Sequence, residues 1–193
     1  STVALPRIRE RFSQAVIGVV PAIKPAATIS QTRAIALLAT PGTVTRHYTR
    51  ELIAEHASDC QITPVGSSEL VHIAEKKLRG ENIRIGDTYA QLQDIIAPIK
   101  ANPQIDTVVL ACTHFPLLKA ELQQLLPHIP YWVDSGEAIA RRVGYWLDKL
   151  NLATYATAIK GLAYFTKEDH NIHRLDNALR QLRLDHIKYL NID

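Results

Sequence analysis

The stretch "TVVLACTHFPLL", residues 107–118, decides how the chain is to be read. An apolar run ends in Cys112, His114 follows, and Pro116 comes shortly after. Such a run is the pattern of a strand buried on both faces. A proline suits the first turn of a helix, because it has no N–H that would need a partner there. Strand, polar corner and helix together put Cys112 at the carboxyl end of a strand, near a helix N-terminus whose positive end favours thiolate. His114 is close enough in sequence to exchange a proton with that thiol or to hold it in place. A cysteine is otherwise a small buried hydrophobe, and position alone leaves both readings open.

The same plan recurs on either side. "RAIALLA" (residues 33–39) leads through "TPGT" into "VTRHYTRELIAEHA", where Val44, Tyr48, Leu52 and Ile53 fall at helical spacing. "CQITPV" leads into "ELVHIAEKKLRG", with Leu70, Ile73, Ala74 and Leu78 as an apolar stripe and Gly80 as a C-terminal stop. "YWV" leads through "DSG" into "EAIARRVGYWLDKL". Short apolar runs alternating with helices predict an α/β fold around a parallel sheet. Residues 22–137 are expected to form one complete lobe. Residues 1–21, with a strand over "VIGVV" (residues 16–20), and residues 138–193 are expected to be pieces of a second lobe, joined through the two prolines of "PAIKPAA".

Composition narrows the function. The 193 residues are 47% hydrophobic, enough for real cores, and contain no apolar run long enough to cross a membrane. Cys60 and Cys112 are the only cysteines, which suits a reducing cytosol rather than a disulfide scaffold. The net charge of +3 is spread over interleaved acids and bases, so no nucleic-acid stripe is expected. The opening "STVALP" has no initiator methionine and reads as the interior of a longer chain.

Ligands of parallel α/β sheets collect where the strands end. "ATPGTV" brings the hydroxyls of Thr40 and Thr43 to such an end, a natural carboxylate site unless one of them is simply an N-cap. In "DSGE", Asp134 and Glu137 have capping-box spacing and read as structural. Cys60 precedes its strand and reads as core. His170 and His173 have possible metal-ligand spacing, but no neighbouring ligands accompany them, and no metal is expected.

The segments "LACTHFPLL", "LLATPGTV", "VGSSELVHIAEKKLRG", "WVDSGEAIARR" and "GVVPAIKPAA" resemble those of the glutamate racemases, within the aspartate/glutamate racemase family. The likeness is close from residue 1 to about residue 142 and looser beyond. It implies a two-lobed fold and cofactor-independent inversion of glutamate by two cysteines on opposite faces of the α-carbon, feeding peptidoglycan synthesis. By the same resemblance Cys112 is the second of those cysteines, His114 assists it and Glu75 lies near it. Thr40, Thr43 and Thr113 hold the substrate's carboxylate and amino groups. "STVALP" resembles the tail of the motif that bears the first cysteine, and Ala111 stands where the family usually has glycine. Some racemases of the family are activated by UDP-N-acetylmuramoyl-L-alanine near the hinge between lobes, and Arg9 and Lys24 are the cations expected to meet its diphosphate. Three other readings stand beside this one: an aspartate racemase, a non-enzymatic binder of small acids, and a cysteine–histidine hydrolase. The last lacks an evident oxyanion-hole partner and a third residue to orient His114.

Overall fold

The computed structural model describes residues 4–152, 161–168 and 172–190. Four strands, β1 (Ala34–Ala39), β2 (Gln61–Gly66), β3 (Thr107–Leu110) and β4 (Tyr131–Val133), form one parallel sheet in the order β2-β1-β3-β4. Its helices are α1 (Leu5–Arg11), α2 (Ile23–Ile29), α3 (Pro41–Val44), α4 (His47–His56), α5 (Glu69–Leu78), α6 (Gly86–Ile95), α7 (Ala97–Lys100), α8 (Lys119–Leu125) and α9 (Gly136–Lys149). Farther along come β5 (Leu162–Phe165), α10 (Asp176–Gln181) and β6 (His186–Tyr189), with β5 and β6 forming a separate parallel pair.

The two central strands, β1 and β3, are buried along their whole length because both faces of the sheet are covered there, whereas the edge strands β2 and β4 are partly exposed. Along β1, Ala34, Ala36 and Leu38 join one cluster with Leu70, Leu92 and Phe115, whereas Ile35 and Leu37 join the opposite cluster with Ile23 and Ala26. The alternation follows from the two-residue period of a strand. All six residues of β1 are buried. Leu70, Ile73 and Ala74 of α5 are fully buried, as the stripe requires. This helix stops at Gly80 (φ 80°): the Gly80 N–H donates to the Lys77 carbonyl and the Glu81 N–H to the Lys76 carbonyl. That pair of bonds needs a left-handed residue, which glycine adopts without strain.

Several sequence expectations change. "VIGVV" forms no strand; residues 15–22 run without regular structure and line cavities instead. Most of "PAIKPAA" is helical, forming the start of α2, whose Pro25 falls in the first turn where no N–H is needed. The stripe from Val44 to Ile53 is broken: α3 ends at Val44, Arg46 is extended (φ −68°, ψ 140°), and α4 begins afresh at His47. Two helices not expected from the sequence, α6 and α7, bury Leu92, Ile96 and Ile99. Lys160, at the start of "KGLAYF", lies outside the described residues, as do residues 1–3 of the opening motif.

One buried carboxylate ties the start of β3 to the end of α2. Asp106, 7% exposed, accepts hydrogen bonds from Ser30 Oγ (2.7 Å), the Gln31 N–H (2.7 Å), the Thr32 N–H (2.9 Å) and Thr107 Oγ1 (2.7 Å). Burial pushes its pKa up, but these donors outweigh burial and hold it at about 2, below the ordinary 3.8. A depressed carboxylate stabilises the fold above its unfolded pKa, and that stabilisation is lost as pH falls towards the folded value. The shift corresponds to about 2 kcal/mol. Asp106→Asn should therefore lower unfolding stability by about 2 kcal/mol at pH 7, and urea titrations should show the gap narrowing between about pH 4 and pH 2. A gap independent of pH would contradict this account.

Candidate active site

Strand order reverses between β1 and β3: the chain leaving β1 crosses to β2 on one side, and β3 pairs on the other. The diverging connections open a crevice at the carboxyl ends of these strands. It is a cavity of about 610 Å³, lined by Thr40, Thr43, Cys112, Thr113, Arg46 and Asp134 among others.

Cys112 reaches this crevice because β3 continues the ladder to Ala111, whose N–H donates to the Leu38 carbonyl (2.8 Å). The chain then turns: the Phe115 N–H donates to the Cys112 carbonyl, and a 3₁₀ turn over Phe115–Leu118 begins with Pro116 in its first positions. Phe115 is completely buried and anchors the corner. Cys112 Sγ lies 4.0 Å from His114 Nδ1, and His114 Nε2 lies 3.6 Å from Glu75 Oε1. The imidazole therefore faces the thiol with Nδ1 and the Glu75 carboxylate with Nε2. A cysteine, a histidine and a glutamate thus stand in line.

Helix α5 brings Glu75 to this line. Its buried stripe fixes its roll, and Lys77 fixes its position: Nζ donates to the Leu117 carbonyl (2.6 Å) and to Glu121 Oε2 (2.8 Å). Glu121, 4% exposed, also meets Arg84 Nη2 at 3.4 Å. Burial pushes the Glu121 pKa up, but the Lys77 hydrogen bond and charge bring it below the usual value. Glu75, which the resemblance alone placed near Cys112, is the acid that faces His114. The sequence reading found no such third residue, because Glu75 and His114 meet only across the packing of α5 on the turn after β3.

Thr40 stands at the N-cap of α3 but makes no side-chain capping bond; its hydroxyl lies 3.0 Å from that of Thr43, with both facing the cavity. Hence the capping reading does not hold for Thr40. Nor does the capping box in "DSGE" form. Ser135 occupies the N-cap of α9 and donates to the Val20 carbonyl (2.6 Å), while Asp134 Oδ1 accepts from the Gly136 N–H (2.7 Å) on the cavity wall. Glu137 pairs with Arg141 along the helix. Arg46 and Asp134 are charged lining groups that sequence reasoning did not assign to the site, and Tyr48, Thr49 and Ser135 line it as well.

Cys60 precedes β2, at the opposite end of the sheet, and packs against the cluster around Ile35 and Leu37. Burial pushes its thiol pKa up. A second cavity, of about 850 Å³, is lined by Arg9 and Lys24, together with Arg142 and Trp146. It shares Val20, Pro21, Ser135 and Ile139 with the first. His173 is described, but His170 lies outside the described residues.

With this geometry in view, the comparisons with known proteins are decisive. Residues 1–143 match the family described as Asp/Glu/Hydantoin racemase. The chain belongs to that family. A glutamate racemase of Actinobacillus pleuropneumoniae is 42% identical over all of this chain and 70% of its own length. One of Pectobacterium carotovorum is 52% identical over 85% of this chain and 56% of its own length. The crystal structure of Escherichia coli glutamate racemase in complex with L-glutamate and activator UDP-MurNAc-Ala superposes with a TM-score of 0.88 at 42% identity, covering 98% of this chain and 70% of that one. A Bacillus anthracis glutamate racemase isoform, at 21% identity and a TM-score of 0.73, shares the fold. No described helix is long and apolar enough to cross a membrane.

The two thiols differ in environment, and their chemistry should differ accordingly. Iodoacetamide at pH 7 should label Cys112 at least about tenfold faster than Cys60, since alkylation needs thiolate and access. His114→Ala should narrow the difference. Peptide mass spectrometry over a time course measures both, and equal rates in the wild type would remove the case for an activated Cys112.

Proposed function

We propose that the chain provides one thiol face of a glutamate racemase, an activity that interconverts L- and D-glutamate without a cofactor and supplies D-glutamate for peptidoglycan in the cytoplasm. The observation that carries this reading is a thiol at a strand end, in line with His114 and Glu75, opening onto a crevice edged by threonine hydroxyls. Family membership and the relatives' names support the substrate.

Inversion at a carbon that bears a proton needs a base on one face and an acid on the other, with the roles exchanged for the reverse direction. Cys112 serves one face. As thiolate it takes the α-proton, and as thiol it returns one. His114 accepts or restores the thiol proton through Nδ1, and Glu75 holds the imidazole in place and stabilises its charged form. Thr40, Thr43 and Thr113 bind the α-carboxylate and amino group and so set the α-carbon against the sulfur. Cys60 lies at the wrong end of the sheet for the other face, so residues 1–193 bring one thiol to the site. A cysteine–histidine–glutamate line also suits a hydrolase, but the family relationship favours proton transfer.

The organisation we propose is a lobe over residues 22–137, with residues 1–21 and 138–193 belonging to a second. The separate β5–β6 pair supports it. The cavity holding Arg9 and Lys24 is the proposed seat of UDP-N-acetylmuramoyl-L-alanine, as supported by the activator in the Escherichia coli relative. Its wall, shared with the catalytic crevice, offers a route by which a ligand could favour one arrangement of the site.

Cys112→Ser, in a racemase active with the wild-type sequence, should abolish turnover with circular dichroism unchanged. His114→Ala should slow removal of the α-proton from one enantiomer by about a hundredfold and the other less, read as deuterium wash-in. Residues 1–193 by themselves should invert neither enantiomer. Retained activity in the serine variant, or inversion by a chain of verified mass, would refute the corresponding step. For the second cavity, Arg9→Ala with Lys24→Ala should weaken binding of the precursor at least about tenfold in calorimetry; unchanged affinity would move the activator elsewhere.

A further inference from the structure

The carboxylate that faces His114 has a second oxygen, and that oxygen is held as well. Glu75 Oε1 lies 3.6 Å from His114 Nε2, while Oε2 lies 3.7 Å from Arg79 Nη1. The guanidinium is gripped in turn, because Arg79 Nε donates to Glu81 Oε1 at 3.2 Å. Its backbone is fixed too: Arg79 is the C-cap of α5, and its N–H donates to the Glu75 carbonyl (3.1 Å). Glu81 comes within reach because the chain reverses at Gly80, whose φ of 80° returns the Glu81 N–H to the Lys76 carbonyl (3.1 Å). The stop of α5 therefore sets an acid beside the arginine, and the arginine beside the acid that faces the histidine.

We propose that Arg79 is a positioning residue for proton transfer at Cys112, acting through Glu75 and anchored by Glu81. The inference rests on the line of Cys112, His114 and Glu75 in the racemase reading and extends it by two residues. With 43% of its side chain exposed, Glu75 has solvent as an alternative to His114. Holding a glutamate in one rotamer costs side-chain entropy, so an acid left to itself samples other directions. Arg79, four residues on, shares its helix face and engages the oxygen that His114 leaves free. The charge of Arg79 taken alone acts the other way, since a cation opposes the imidazolium that forms when His114 takes the thiol proton. Glu81 offsets that charge at close range. The hold on Glu75 is then the larger effect. Arg174 Nη1 approaches the same Glu81 oxygen at 3.9 Å, but its side chain is 61% exposed, and a pair so placed contributes little.

The two effects forecast opposite results for loss of the arginine, which makes the assignment testable without turnover. Alkylation of Cys112 by iodoacetamide at pH 7 reads thiolate formation, and Cys60 in the same chain serves as internal standard. In Arg79→Ala, labelling of Cys112 should slow about threefold, the size expected of a partly exposed ion pair, with the Cys60 rate unchanged. Arg79→Lys keeps a cation on the same helix face and should recover most of the loss. In a His114→Ala background, Arg79→Ala should add nothing, because residues acting through one path are not additive. A loss caused only by a weakened helix end would persist in that background. An unchanged or faster Cys112 rate in Arg79→Ala, no recovery in Arg79→Lys, or equal slowing with and without His114 overturns the assignment of Arg79 and leaves the line of Cys112, His114 and Glu75 standing. A Cys112 rate indifferent to both His114→Ala and Glu75→Gln overturns that line, and the inference falls with it.

Discussion

The connections leaving β1 and β3 run apart because β2 lies on one edge of β1 and β4 on the far edge of β3. Both faces of these strands are sealed by helices, so their ends are where polar groups can reach solvent without disturbing a core. Thr40 and Thr43 follow β1, Cys112 and Thr113 follow β3, and Asp134 follows β4. Three loops far apart in sequence therefore line one crevice. The parallel register aligns their starting points: Leu38 sits opposite Leu110, and Val109 opposite Val133.

Within that frame the cysteine is supported from behind. The line from Cys112 through His114 to Glu75 depends on α5 staying seated on the 3₁₀ turn, and the contacts of Lys77 with Leu117 and Glu121 seat it. Glu121 is buried with two cationic partners, and a charge so placed is costly if left without them. The pair thus serves geometry as much as stability. At the opposite end of β3, Asp106 performs a comparable task with neutral donors, joining the strand to the end of α2.

The two cavities are adjacent rather than independent. Val20 and Pro21 separate them on one side and Ser135 and Ile139 on the other, with the Ser135 hydroxyl bonded to the Val20 carbonyl. The irregular run of residues 15–22 makes this possible. A strand there would spend its backbone groups on a ladder, whereas an irregular segment can lend a carbonyl to the N-cap of α9 and a side chain to each cavity.

By itself the sequence determined the parallel α/β lobe, the place of Cys112 at a strand end, and the family. Each rests on local order: apolar runs of strand length, a proline in the first turn of the next helix, and motifs of a few adjacent residues. It also marked Arg9 and Lys24, which share a cavity although separated along the chain. Local pattern failed where the partner was distant. Local pattern gave Glu75 no role, and only the resemblance placed it near Cys112; it meets His114 because the fold lays α5 against the turn after β3. Asp134 had the spacing of a capping box, but Ser135 took the cap, leaving the aspartate on the cavity wall. Arg46 lay inside an unbroken apolar stripe that the structure divides in two. Only tertiary structure could decide these roles, because each is set by which element packs against the side chain, and that contact has no signature in the neighbouring residues.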